Sequence, residues 1–181
     1  MANQEHIKIL KQGADAWNKW RKENLVNNAE PDFEEADLDG LYIGSAYFSK
    51  EKSDFVRTTY AQADLRNANF SKAKLCNANL SKTILDKADF YKTVLVQADF
   101  YNAILSNANL SEADLDRANL KGTNLFNAKF CRANLREADF IRANLSGADL
   151  SHADITGVRL YASARDDWKI DNVKMHPGLF L

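Results

Sequence analysis

Residues 103–120 read AILSNANLSEADLDRANL. Leu105, Leu110, Leu115 and Leu120 fall at every fifth position, and Ala103, Ala108, Ala113 and Ala118 stand two residues before each. The residue between is usually Asn or Asp: Asn109, Asp114 and Asn119, with Ile104 as the exception. The same unit extends in both directions from this stretch. A large hydrophobe recurs at every fifth residue from Phe55 to Leu160, 22 positions without a polar exception. Thr83, Thr93, Thr123 and Val158 are variants of the small position. A shorter run, Phe33, Leu38, Ile43 and Phe48, precedes it in a different register. Phe48 and Phe55 are seven apart, which predicts a two-residue insertion within 49–53 and 26 units in all.

A period of five excludes both ordinary secondary structures. Along a strand, side chains alternate faces, so a five-residue step would send each leucine to the opposite side. Along an α-helix the same step rotates by roughly 140°, spreading the leucines around the circumference. The pattern can be buried if the chain turns a corner in every unit and keeps each fifth residue on a central axis. Four corners close one coil about every 20 residues, and coils stack at the ~4.8 Å spacing of hydrogen-bonded strands. The residue types agree. Leu and Phe fill the axis. Ala fits a crowded corner. Asp and Asn hydrogen-bond nearby backbone in turns. Phe70, Phe90 and Phe130 then share one side, and Phe100 and Phe140 another.

The unit A-(D/N)-(L/F)-x-x over 26 copies resembles the pentapeptide-repeat family. The resemblance implies an all-β solenoid: a right-handed quadrilateral β-helix, here of about 6.5 coils, with the central residue and the small residue facing inward. Three segments are expected: an N-terminal helical cap over 1–29, the β-helix over 30–160, and a short C-terminal cap over 161–181. Residues 3–24 read as one helix, because Ile7, Leu10, Ala14 and Trp17 form a stripe. Trp17 and Trp20 are its anchors on the first coil. The string AWNKWR at 16–21 resembles N-terminal caps of cyanobacterial members of the family.

Composition narrows the function. The net charge of −1 gives no global attraction to nucleic acid or an anionic membrane. No apolar run approaches the ~20 residues of a membrane span. The N-terminus lacks a secretory pattern, and two cysteines, Cys76 and Cys131, do not make a disulfide framework. A reducing cytoplasm is the expected location. Both cysteines follow a central residue and are expected to face outward. His6 belongs at the opposite end of the rod from His152 and His176, which are close enough to approach one another; the three cannot converge and are read as solvated. Asp recurs at a turn position rather than in a pocket, so no catalytic, metal or cofactor site is expected, and the chain is read as no enzyme.

Two kinds of partner are weighed. Some family members imitate duplex DNA and bind gyrase, which needs an acidic rod. Here residues 55–160 hold 14 Lys/Arg against 11 Asp/Glu, and only 30–54 is acidic, with eight acids against two bases. Lys72, Lys82, Lys87 and Lys92 with Tyr91 and Tyr101 suggest a basic stripe, but Asp86, Asp89 and Asp99 offset it, so no nucleic acid is expected. The favoured reading is a scaffold that binds an unknown protein or associates weakly with itself. The candidate interaction patch is Ile84, Tyr91, Val94, Val96, Tyr101 and Ile104, where outward positions carry apolar side chains. The alternative is modulation of gyrase or another nucleic-acid enzyme by mimicry. Leu179–Leu181 in the tail 175–181 offers a further contact.

Overall fold

Each repeat ends in a tight turn, and the turn explains the period. In the computed structural model, which describes residues 3–24, 31–33 and 63–161, the Ala68 N–H donates to the Leu65 carbonyl at 3.1 Å. The same four-residue turn closes after every central residue through Val158, whose N–H donates to Ile155 at 3.2 Å. The third residue of each turn has positive φ, from 54° at Asn102 to 74° at Gly157, and the second does not. That combination defines a type II turn. Only Gly122, Gly147 and Gly157 are glycines; the other third residues include Asn67, Lys87, Glu112 and Arg132. A left-handed conformation costs an ordinary residue about 1–2 kcal/mol. Stacking offsets that cost, because the strained residue's N–H donates to the next coil: Asn67 to Asp86 at 3.0 Å, Lys87 to Ser106 at 2.9 Å.

Gly122 is bound to its place by more than φ. A Cβ there would overlap the amide oxygen of Asn102, which folds over it from the coil below. Gly122→Ala is expected to lower stability in urea denaturation by more than about 1 kcal/mol, the left-handed cost less the unfolded-state gain of alanine, with the overlap on Asn102 added to it. Adding Asn102→Ser should recover part of the loss.

Four turns close a coil. Parallel bridges join residues twenty apart, so each five-residue unit forms one side of a prism. The first side carries Asp64, Ile84, Ile104, Asn124 and Asn144. The second carries Asn69, Asp89, Asn109, Lys129 and Asp149. Lys74, Val94, Asp114, Asn134 and Asp154 mark the third, and Asn79, Asp99, Asn119, Asp139 and Arg159 the fourth. Each bridge residue from Ile84 to Arg159 is held to the coil below by two backbone bonds, as where Ile84 N–H donates to Ala63 at 2.9 Å and Leu65 N–H donates to Ile84 at 2.8 Å. The Asp and Asn side chains serve the turn that follows. Asn69 Oδ1 accepts from Ser71 N–H at 2.9 Å, and Asp89 Oδ1 from Tyr91 N–H at 3.0 Å. They also link coils: Asn109 Nδ2 donates to Asp89 at 2.9 Å and Asn119 Nδ2 to Asp99 at 2.8 Å.

The interior is filled along its length. All central residues from Leu65 to Leu160 are buried, and so is the small residue of every unit from Ala63 to Val158. Phe33, Phe70 and Phe90 stack face to face on the second side, with centroids 4.9 and 5.0 Å apart. Phe90 meets Phe100 edge-on at 5.8 Å, and Phe130 meets Phe140 at 5.9 Å. The buried threonines keep their hydroxyls satisfied. Thr93 donates to the Phe70 carbonyl at 2.7 Å, Thr123 to Phe100 at 3.0 Å and Thr83 to Leu80 at 2.6 Å.

The N-terminal cap differs from the single expected helix. Helix α1 spans Gln4–Leu10 and α2 spans Ala14–Asn24. Gly13, at φ 98°, breaks them, and its N–H donates back to Leu10 at 3.0 Å. Asn3 caps α1 by accepting from the Glu5 and His6 N–H groups. From α2, three side chains replace the coil that is missing beneath the first side. Asn18 Oδ1 accepts from Asp64 N–H at 2.9 Å, Trp17 Nε1 donates to the Asp64 carbonyl at 2.7 Å, and Arg21 Nη2 donates to the Arg66 carbonyl at 3.1 Å. A coil would make the equivalent three bonds through its backbone.

Beneath the second side the cap does use backbone. Phe33 N–H donates to Asn69 at 2.6 Å, and Asn69 N–H donates to Pro31 at 2.8 Å. Asp32 thus pairs with Asn69 across 37 residues, where every other bridge among the described residues spans 20. The expected units would set Phe33 seven steps before Phe70, on a different side. The structure sets it directly below Phe70, because α2 rather than a repeat unit lies beneath the neighbouring side. The units centred on Leu38, Ile43, Phe48, Phe55 and Tyr60, the insertion at 49–53 and the tail beyond Tyr161 lie outside the described residues.

Candidate functional site

With the axis closed by side chains, chemistry is confined to the outward positions. These are the bridge residue and the two middle residues of each turn, which stand at the four corners. The six residues expected to form one patch divide between opposite sides. Ile84 and Ile104 are consecutive on the first side, and Tyr101 stands at the corner leading into it. Val94 lies on the third side, with Tyr91 and Val96 at its two corners. The group on the third side is half-buried among charged neighbours; Tyr91 Oη meets Glu112 at 3.3 Å, and Lys92 lies 5.0 Å over the Tyr91 ring.

The first side gains a residue that reading along the chain missed. Phe126 stands at its far corner and is 44% exposed, matching Tyr101 at 44% beside Ile104 at 38%. From Ile104 upward this side is uncharged. Its bridge residues are Ile104, Asn124 and Asn144, and its far corner holds Ser106, Asn107, Phe126, Asn127, Ser146 and Gly147. Basic groups occur only at the near corner, as Lys121 and Arg142. Phe126 could have been found from the sequence by aligning residues modulo 20, where its corner otherwise holds Arg66, Asp86, Ser106 and Ser146.

Elsewhere the surface is charged, and several of its ions are paired. Asp139 receives Lys121 at 3.1 Å and Arg159 at 2.6 Å on the fourth side. Glu137 meets Arg117 at 2.9 Å, Glu112 meets Lys92 at 3.3 Å, and Asp154 meets Arg136 at 3.6 Å. Arg117 also holds the Glu137 carboxyl below its ordinary range through its hydrogen bond and charge. No continuous acidic stripe runs along the described coils. The lysines of the supposed basic stripe also separate, to three corners: Lys72 and Lys92 at one, Lys82 and Lys87 at two others.

The histidines and cysteines divide by environment. His152 is exposed, and His176 lies outside the described residues. His6, expected to be solvated, is buried at 6% exposure. It packs against Trp20 at 4.7 Å and against Trp17 and Phe33 at 6.2 Å each, and its Nδ1 accepts from the Asp32 N–H at 3.1 Å. Its burial follows from the docking of α1 on the second side, a contact between residues 26 apart. Cys76 and Cys131 form no disulfide and are half-buried at different corners. Burial, followed by the charge of Asp149, pushes the Cys131 thiol up, which keeps it protonated. Among the described residues no group of His, Cys, Asp and Glu could hold a metal ion, and no helix is long and apolar enough to cross a membrane.

Burial drives the pKa of His6 below the ordinary 6.5, outweighing the opposing charges of Asp32 and Glu5; Arg21 adds to the lowering. The unfolded chain therefore binds a proton more readily than the folded one. The contribution of His6 is complete above pH 6.5 and is lost as pH falls toward the lower folded value. Chemical denaturation at pH 7.5 and 5 should show a cap that weakens with acid. His6→Phe, which cannot be protonated, should show a smaller drop.

The comparisons with known proteins agree with this architecture. A family model described as pentapeptide repeats matches in eight copies, with segments running from residue 53 to residue 160. A pentapeptide repeat protein from the Arabidopsis thaliana thylakoid lumen is 34% identical, with a TM-score of 0.53 over 54% of this chain and 68% of that one. A pentapeptide repeat protein, Rfr23, from the cyanobacterium Cyanothece 51142 is 25% identical over 88% and 96% of the two chains, with a TM-score of 0.28. QnrB1, a plasmid-mediated fluoroquinolone resistance protein, is 19% identical over 82% and 80%, with a TM-score of 0.32. No curated protein matches. A repeat of five residues, a coil of twenty and a matching family model together place this chain in the pentapeptide-repeat family.

Proposed function

We propose that this protein is a non-enzymatic scaffold that binds another protein through the outer surface of its prism, with the first side as the principal contact. The observation that carries this reading is the distribution of exposed apolar side chains. Tyr101, Ile104 and Phe126 are exposed along the first side and its two corners, where the bridge residues from Ile104 upward carry no charge, while the interior is closed by buried Leu, Phe and Ala. An exposed apolar cluster on an otherwise polar surface marks an interaction site. The described coils give the DNA-mimicry alternative no support, because their carboxylates are dispersed over the sides and several, such as Glu137, Asp139 and Asp154, are paired with bases.

The test is affinity capture with the wild type and with Ile84→Asp plus Ile104→Asp. Both positions face outward, so the thermal midpoint should stay within a few degrees. The retained partner should be lost from the double variant. An identical set of captured proteins from both would overturn the reading. Addition of the protein to a DNA gyrase supercoiling assay should leave the rate unchanged; inhibition would favour mimicry instead.

A further inference from the structure

We infer that His6 is a proton-operated latch: acid releases α1 from the N-terminal end of the prism, while α2 and residues 31–33 stay in place. The latch is independent of what the outer sides of the prism bind.

The hydrogen bonds of the ring carry the inference. A neutral imidazole has one acceptor nitrogen, and a protonated one has none. In His6 that acceptor is Nδ1, which takes the Asp32 N–H at 3.1 Å. Nε2 faces Asn3 Nδ2 at 3.3 Å. The Asn3 amide cannot offer its oxygen instead, because Oδ1 already accepts from the Glu5 N–H at 2.9 Å and the His6 N–H at 3.3 Å. A proton added at Nδ1 therefore points at the Asp32 N–H and meets no acceptor. Trp17, Trp20 and Phe33 enclose the buried ring, which limits water as a substitute.

Three charged groups face the ring, one from each element packed around it: Glu5 on α1, Arg21 on α2 and Asp32 in residues 31–33. The two carboxylates favour the imidazolium. Burial, joined by Arg21, prevails against them, so the docked ring resists a proton that the undocked ring accepts.

The build of the cap decides which part moves. Gly13, at φ 98°, separates α1 from α2. Helix α1 is tied to residues 31–33 through Asp32, whose N–H donates to His6 and whose carbonyl accepts from the Asn3 N–H at 3.2 Å. Residues 31–33 are themselves held to the second side by the Phe33 and Asn69 N–H bonds, at 2.6 and 2.8 Å, and by the stacking of Phe33 on Phe70. Helix α2 is held to the first side by Trp17, Asn18 and Arg21. None of these holds depends on a proton that moves between pH 5 and 7.5. Against the effect of burial, hydrogen bonds and charge from Arg66 keep the Asp64 carboxyl below its ordinary range. Once undocked, the seven residues of α1 fall short of the ~12–15 at which an isolated helix becomes marginal, so its turns open as well.

Amide exchange of the full chain, followed by NMR at pH 7.5 and 5 and corrected for the intrinsic exchange rate, tests this. Protection at Ile7, Lys11 and Asp32 should fall at pH 5 by between ~3-fold and ~30-fold, the larger figure being the limit for an undocked histidine of ordinary pKa. The Asp64 and Asn69 amides, bonded to Asn18 and Pro31, should keep their protection at both pH values. The Asp114 amide in the middle coils is the reference for an intact prism. His6→Asn retains an acceptor, since Oδ1 is bonded at the same point along the side chain as Nδ1, and takes up no proton. Its α1 protection should be the same at both pH values, whatever its level. Losses at Asp64 and Asn69 equal to those in α1 would mean that the whole cap opens. An acid response that persists in His6→Asn would place the proton elsewhere, and unchanged α1 protection in the wild type would mean that the docked ring accepts it. Each of these overturns the inference.

Discussion

Phe90→Ala is expected to lower the free energy of unfolding by about 3–5 kcal/mol. Phe90 is fully buried, stacks on Phe70 at 5.0 Å and meets Phe100 edge-on at 5.8 Å. Truncation therefore removes a transfer contribution and leaves a void that the neighbours fill poorly. They are held by backbone bonds on both sides: Phe90 N–H donates to Asn109 at 2.7 Å, and the units above and below are locked the same way. The layer spacing is fixed by these bonds, so the prism has little freedom to collapse around a cavity. Phe90→Leu should cost less than about 1.5 kcal/mol, because leucine keeps most of the volume. Leu110 occupies the equivalent position one coil above. Urea denaturation of the two variants beside the wild type measures both effects. Equal losses for Ala and Leu would mean that ring stacking, rather than axial volume, holds the column.

The second large effect is expected at the cap. Trp17→Ala removes a fully buried ring packed against Trp20 at 4.9 Å and Phe33 at 5.5 Å, together with the Nε1 bond to the Asp64 carbonyl. Loss of such a side chain costs about 3–5 kcal/mol. In a stacked-repeat protein that cost stays local, since each layer contacts only its neighbours. Hydrogen exchange should therefore accelerate at the Asp64 and Asn69 amides by a factor of at least ~100, at about 1.4 kcal/mol per tenfold. The Asp114 amide, bonded to Thr93 in the middle coils at 3.0 Å, should keep its protection. Freed of α2, the lower edge of the first coil presents open strand groups, which promote edge-to-edge association. Concentration-dependent light scattering should rise in the variant. Uniform acceleration across all coils would show that cap and prism unfold as one unit.

Several features were legible along the chain for a simple reason. When each unit is one side of a square, a residue's surroundings are set by its position within five and its number modulo twenty. The buried column of Leu and Phe, the small corner residues, the turn role of Asp and Asn, and the stacking of Phe70 with Phe90 all follow from that arithmetic. The candidate surface was misjudged where this arithmetic was not applied. Tyr91, Val94, Val96, Tyr101 and Ile104 are close in number, yet a side changes every five residues. Val94 and Ile104 therefore face opposite ways, while Phe126, 22 residues beyond Ile104, is its neighbour one layer up.

Sequence by itself determined the repeat, the inward and outward positions, and the family, because those depend on contacts that recur at a fixed short interval. Tertiary structure alone decided how the N-terminal end is closed. The Asn18, Trp17 and Arg21 bonds to Asp64 and Arg66, the seat of Phe33 beneath Phe70, and the burial of His6 join residues 26 to 47 apart at separations that the period of twenty does not set. A helix can satisfy an open strand edge only when its side chains meet that edge in register, and that fit is a property of the docked surfaces rather than of any local pattern.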